Sequence, residues 1–219
     1  MKKVTGMLAV LALTGLSSSM VMAGDWKNYR VTITNATSHH VITPPLIVIH
    51  NKKFKLFSVA DAASEGLATQ AETGDPSALY NEVSDAKGVY DVIVGSNVIV
   101  YGTKSSYEFR APKGAKISMT GMLASTNDAF TAISSKALPK RSVSYMATTY
   151  DAGSEENNED CRFIPGPPCS AESGNQRATE GAEGFITVHA GIKGRSDLSA
   201  AHLDWRGATS IVTIKRLHD

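Results

Sequence analysis

Lys27-Asn-Tyr-Arg-Val-Thr-Ile-Thr-Asn35 alternates residue by residue. Tyr29, Val31 and Ile33 share one face, and Arg30, Thr32 and Thr34 share the other. A period of two describes a strand with one face buried. The same texture recurs outward from it. Val41 to His50 is a second strand, interrupted by Pro44-Pro45, whose missing donors place that part on an edge or in a bulge. Val89–Val94, Asn97–Tyr101, Ser106–Arg110, Ala115–Leu123, Val143–Thr149, Phe185–His189 and Ser210–Arg216 continue the series, with Gly, Pro and Ser between them.

Helical signals are confined to one insertion. Asp61 to Glu72 is the best helix candidate, with Asp61 or Ser64 as its cap and Gly74 after its end. Asp75-Pro76 starts a shorter helical turn. Regular short strands with turn signals between them indicate an all-β fold. The expected architecture is an antiparallel β-sandwich of about eight strands with one or two helical insertions.

Met1-Lys-Lys, an apolar run from Met7 to Leu16, and Val21-Met-Ala23 have the layout of a secretory signal peptide cleaved after Ala23. The run is too short to span a bilayer, which takes about 20 apolar residues. Residues 24–219 are then one domain, large enough to bury its own core. The chain carries 22 Lys+Arg against 21 Asp+Glu. That balance gives no basic footprint for nucleic acid and no polybasic segment for membranes. Export implies a secreted or periplasmic protein and an oxidising compartment, so Cys161 and Cys169 are expected to pair.

Candidate chemistry gathers in Thr148-Thr-Tyr-Asp-Ala-Gly-Ser-Glu-Glu-Asn-Asn-Glu-Asp160. Gly153 lets the backbone turn, so that Asp151 and Glu155 face one point. Asp128, at the end of another apolar run, offers one more carboxylate if the two loops meet. Carboxylates with backbone and hydroxyl oxygens suit calcium, a hard cation taking 6–8 oxygens. The competing reading is a solvated acidic loop, since the spacing is not that of an EF-hand. Residues 153–182 are poor in apolar side chains and read as a long loop. His50 and His189, with Asp204, are open to either a metal or catalytic cluster or ordinary hydrogen-bonded structural roles. Trp205 reads as packing or as a sugar platform. Nucleophile-elbow, zinc-helix and phosphate-loop signatures are absent from the sequence. Asn35-Ala-Thr37 matches a glycosylation acceptor.

In combination, Ala63-Ser-Glu-Gly66, Gln70-Ala-Glu-Thr-Gly74, Ser125-Thr-Asn-Asp128 and Tyr150-Asp-Ala-Gly-Ser-Glu155 resemble the spondin domain, named from the animal matrix protein F-spondin. Thr43-Pro-Pro-Leu46, Pro165-Gly-Pro-Pro-Cys169 and Gly184-Phe-Ile-Thr-Val-His189 are similar to its secreted bacterial branch. The likeness runs from about residue 28 to 217. It implies a β-sandwich like the calcium- and phospholipid-binding modules of protein kinase C. It also implies a calcium site at Asp128, Asp151 and Glu155. The animal domain has aspartate where this chain has Glu155, which leaves the roles of Glu155 and Glu156 open. The thrombospondin-type repeats of F-spondin are missing from this chain, so its partners are not carried over. The expectation is an exported calcium-binding module, not an enzyme, acting in binding or adhesion toward an extracellular protein or glycan. Two rivals stand beside it. One is a structural protein whose ion only stabilises the fold. The other is a metal-dependent hydrolase using Asp128, Asp151 and a histidine.

Overall fold

The computed structural model describes residues 26–170 and 176–218, and the expected signal peptide, 1–23, lies outside them. The alternating first stretch forms β1 (Lys27–Asn35), with Val31 and Ile33 fully buried. Strands β2 (Leu46–His50), β3 (Val89–Val94), β4 (Lys104–Ala111), β5 (Lys116–Met122) and β6 (Ala129–Ala137) follow. The chain then continues through β7 (Ser142–Asp151), β8 (Thr187–Val188) and β9 (Ser210–Arg216). The path runs β3-β2-β5-β6-β7-β9-β1-β4, with β8 on β7, and every pairing is antiparallel.

β7 turns this path into two layers. Its first half, Ser142–Ala147, pairs with β9, and its second half, Thr148–Asp151, pairs with β6. One strand therefore belongs to both sheets, as expected at the corner of a sandwich. Val31 and Ile33 of β1 and Val212 and Ile214 of β9 meet Ile47, Ile49, Ile117 and Met119 of the opposite sheet in the main core. Trp26, just before β1, meets Tyr90 of the edge strand β3, their rings 6.2 Å apart edge to face.

β2 is buried on both faces, which explains its unbroken apolar run. Ile47 and Ile49 face the sandwich core, while Leu46 and Val48 face the helical insertion. That insertion is α1 (Glu65–Thr73) and α2 (Ser77–Val83). Ser64 caps α1 by accepting from the Leu67 amide at 3.3 Å, and Gly74 ends it in a left-handed conformation. A short α3 (Ala200–Leu203) lies in the last connection.

Two local expectations are corrected, and one strand is added. Asn97–Tyr101 makes only one bridge, at Ile99, in place of a strand; Val98, Val100 and Tyr101 stay exposed. β6 was not legible, because its apolar and small residues are buried on both faces and carry no alternation. The long loop holds a small core of its own, where Ile164, Cys169, Ile192, Leu198 and Leu203 pack together beside Trp205.

Asn35 is buried, and its amide donates to the carbonyls of His40 and Ile99, both at 2.8 Å. It ties a turn together and is closed to glycosylation. Cys161 and Cys169 are bonded as expected. The linkage closes a short loop in the small core. Cys161→Ser/Cys169→Ser is therefore expected to lose about 2–3 kcal/mol, read from thermal melts. No shift in the midpoint would mean that the loop is held by packing alone.

Candidate functional site

The sandwich architecture places the β5–β6 turn and the segment after β7 at one end. There the Ala129↔Asp151 register brings Asp128 beside the start of the acidic loop. Asp128 is fully buried. Its Oδ2 accepts from the Ser154 amide at 2.8 Å, the Glu155 amide at 3.0 Å and the Ser154 hydroxyl at 3.2 Å. Its Oδ1 is buried with no partner. Asp151 turns one oxygen to the Gly153 amide at 2.7 Å and the other to the Asn157 side-chain amide. Glu155 is 1% exposed, whereas Glu156 is exposed. Glu155 Oε1 accepts from the Ala178 amide at 3.0 Å, and Oε2 is buried without a partner.

The two loops anticipated from the sequence thus do meet, and the buried glutamate is Glu155. Sequence reasoning missed Glu72, at the end of α1. It is 6% exposed and receives the Arg177 guanidinium at 2.5 Å. Its spacing on the helix put it on the buried face with Gln70 and Ala71, but that signal reads as packing.

Charge is concentrated here against the ordinary preference of buried groups. Burial, and then the neighbouring Asp151 charge, push the Asp128 carboxyl up to about 7, although the Glu155 and Ser154 amides oppose this. Burial pushes Glu155 up to about 8, with Glu72 and Asp128 adding to the shift and Ala178 and Arg177 opposing it. Asp151 is also raised, by burial and by Glu183, against the pull of Asn157 and Gly153. Desolvation disfavours the charged form, and like charges add to it. A proton or a cation is the natural counterweight.

The acidic run is not a uniformly solvated loop. Glu159 is buried too, and its two oxygens accept from the Lys193 and Arg195 amides at 2.5 and 2.6 Å. It therefore fastens the 190s segment to the acidic loop.

The histidines separate. His50 Nδ1 donates to the Asn51 carbonyl at 2.7 Å, and Nε2 meets the Ser118 hydroxyl at 2.9 Å. This is a satisfied structural role far from the carboxylates. His189 accepts the Gly191 amide at Nδ1 and donates from Nε2 to Asn157 Oδ1 at 2.8 Å. Asn157 in turn donates to Asp151. Burial, with His40 and Lys193 nearby, brings His189 down to about 4, so it is neutral at pH 7. A cavity of about 180 Å³ opens between Asp151, Asn157, Glu183 and His189. Asp204 does share this neighbourhood: its carboxylate lies against Gly191, whose amide His189 accepts, and beside His40 and Arg206, so of the three residues only His50 stands apart. Trp205 is half-buried between His40 and His189, with ring centroids at 5.2 and 5.1 Å. That arrangement favours the packing reading.

Among the described residues, no three or more His, Cys, Asp or Glu side chains form a group able to hold a metal ion. No helix among them is long and apolar enough to cross a membrane. A family model described as Spondin_N matches residues 18–157, a span that includes Asp128, Asp151 and Glu155 and stops before the disulfide. It is shorter than the likeness read from motifs. No curated protein matches the chain. The extracellular family and the Cys161–Cys169 disulfide together indicate secretion. A match over more than half of the chain, on a fold of the expected kind, makes this chain a member of the Spondin_N family of extracellular adhesion-type modules.

Proposed function

We propose that the chain is a calcium-binding adhesion module, not an enzyme, and that it acts outside the cell or in the periplasm. The observation that carries this reading is the pair of unpartnered buried oxygens, Asp128 Oδ1 and Glu155 Oε2. A buried polar atom left without a partner costs about 1–3 kcal/mol, and more when charged. A hard cation bound there would remove that cost and balance the crowded negative charge.

The donor chemistry fits calcium, which takes carboxylates, carbonyls and water in a flexible shell. Asp128 and Glu155 would supply the free anionic oxygens. Asp151, engaged by Gly153 and Asn157, would add charge and hold the loop. Since three side chains do not group as a complete metal cluster, neutral oxygens must complete the shell. The bound ion would stiffen the segment from Asp151 to Glu155, and that end of the sandwich would present the recognition surface to an extracellular protein or glycan.

The rival hydrolase reading gains one observation, the His189–Asn157–Asp151 chain. The Asn157 side chain is held by Asp151, Glu183 and His189 together, however, and the neutral His189 has both ring nitrogens engaged.

Calorimetric titration of residues 24–219 with calcium tests the proposal. One site is expected in the parent chain and none in Asp128→Asn or Glu155→Gln, with magnesium much weaker. No heat and no retained calcium in the parent would sink the reading.

A further inference from the structure

We propose that the end of the sandwich opposite the acidic loops is a binding face for an anionic polysaccharide. The strand register gathers cations there from distant parts of the chain. β7 begins just after Lys140 and Arg141, β9 ends at Lys215 and Arg216, and β4 ends just after Arg110, with Lys113 in the turn beyond. Lys215 lies opposite Ser142, Arg216 opposite Tyr29, and Arg110 opposite Asn28. The Arg216 amide donates to the Arg141 carbonyl at 2.7 Å, which joins two of these cations across the strand ends.

The face is concave. A depression of about 720 Å³ is lined by Lys140, Arg141, Ser142, Lys215, Arg216 and His218 among others. A second, of about 400 Å³, continues from Leu217 and His218 across Asn28 to Arg110. Together they cross the ends of β7, β9, β1 and β4. At the usual spacing between strands that is a run of about 15 Å.

Three features point to a polyanion. Lys140, Arg141, Lys215 and Arg110 are exposed, and among the described residues none of them, nor Arg216, forms an ion pair. Among the described residues that line the groove, the one carboxylate, Glu108, is already engaged by Arg30 at 2.5 Å. The buried acids Asp128, Asp151, Glu155 and Glu159 all lie at or beyond the other ends of the strands. The nearly neutral chain thus gathers cations without ion pairs at one end, away from its buried acids, and that end attracts an anion. Arginine and lysine on a groove suit repeated sulfate, phosphate or carboxylate groups. None of the exposed large apolar side chains lines the groove, so it lacks the wedge that a lipid surface would take. The inference is independent of the ion at the acidic end.

Size-defined heparin oligosaccharides are the probe, titrated onto the protein at two salt concentrations. The parent is expected to bind, and to bind more weakly as salt rises and counterion release contributes less. Lys140→Ser/Arg141→Ser/Lys215→Ser is expected to lose more than about tenfold in affinity while keeping its melting temperature. Lys104→Ser/Arg162→Ser/Arg206→Ser removes the same charge elsewhere and is expected to stay within about twofold. Should the first variant fail to fold, Lys140→Ser/Arg141→Ser carries the same comparison with a smaller loss. Equal losses in the two variants would reduce the effect to net charge and overturn the proposal. So would absence of binding at low salt, or binding to phosphatidylglycerol vesicles without binding to the oligosaccharide.

Discussion

Held free of metal by a chelator, the protein is expected to weaken steadily as pH rises from about 6.5 to about 8.5. The sign follows from the site. Asp128 and Glu155 lie at about 7 and about 8 in the fold, against about 4 for carboxylates in an unfolded chain. A carboxyl raised by folding keeps its proton in the native state after the unfolded chain has released its own. Its contribution is complete below the unfolded value and disappears as pH rises through the folded one. The buried histidines act the other way. His40, His50 and His189 are all lowered, first of all by burial. The unfolded chain therefore takes up their protons first, so their contribution falls as pH drops below about 6.5 and opposes the carboxyls' gain there. Above that value these histidines are neutral in both states and the carboxylates alone set the slope. Calcium binds the ionised carboxylates, so millimolar calcium is expected to remove the alkaline decline. At a hundredfold excess over its dissociation constant it adds about 2.7 kcal/mol, or roughly 5–10 °C for a domain of this size. The rise should be larger at pH 8.5 than at pH 6, where protons compete with the ion. Asp128→Asn/Glu155→Gln is expected to flatten the alkaline limb and to ignore calcium. Melts followed by circular dichroism across pH decide it. A variant that keeps the full alkaline decline would show that these two carboxyls are not its source.

The sequence made the sandwich legible wherever one strand face met solvent. β1 alternates because one face packs in the core and the other is wet, and β9 reads the same way. β6 escaped because Ala129 to Ile133 are buried on both faces, by the sandwich core on one side and the helix-covered core on the other. Asp151 and Glu155 were legible as residues because a glycine between carboxylates is a local pattern, and Asp128 because it is a lone carboxylate at the end of an apolar run. Glu72 and Arg177 were not, since their pairing joins positions far apart in the chain through tertiary packing. The cationic groove was hidden by the balanced charge total. Composition counts charges and carries no information about which strand ends they occupy. Arg110, Arg141 and Arg216 become neighbours only through the pairing of β4, β1, β9 and β7.

Gly153→Ala is expected to dismantle the acidic end without removing a single ligand. Gly153 has φ +68°, and a Cβ placed there would lie 2.3 Å from the Phe185 carbonyl oxygen and 2.7 Å from the Phe185 amide nitrogen. Both are backbone atoms, held by the Gly184 amide donating to the Gly153 carbonyl and by the Ile186 amide donating to the Asp61 carbonyl, each at 2.8 Å. Neither side can give way as a flexible side chain would. The left-handed conformation alone costs an L-residue about 1–2 kcal/mol. Gly102 isolates that part, because it has φ +72° and open space around its Cβ position. Gly102→Ala is therefore expected to lose only about 1 kcal/mol. Gly153→Ala should lose several times more, on the order of 3–4 kcal/mol once the backbone clash is added. If the loop instead moves aside to accommodate the methyl, Asp151 and the Ser154 and Glu155 amides that hold Asp128 move with it. The calcium-dependent rise in melting temperature should then disappear although Asp128, Asp151 and Glu155 are all intact. Denaturant unfolding of the two alanine variants, with and without calcium, separates these contributions. Equal losses at the two glycines, with the calcium response retained in both, would mean that the close approach of the Gly153 and Phe185 backbones does not position the site.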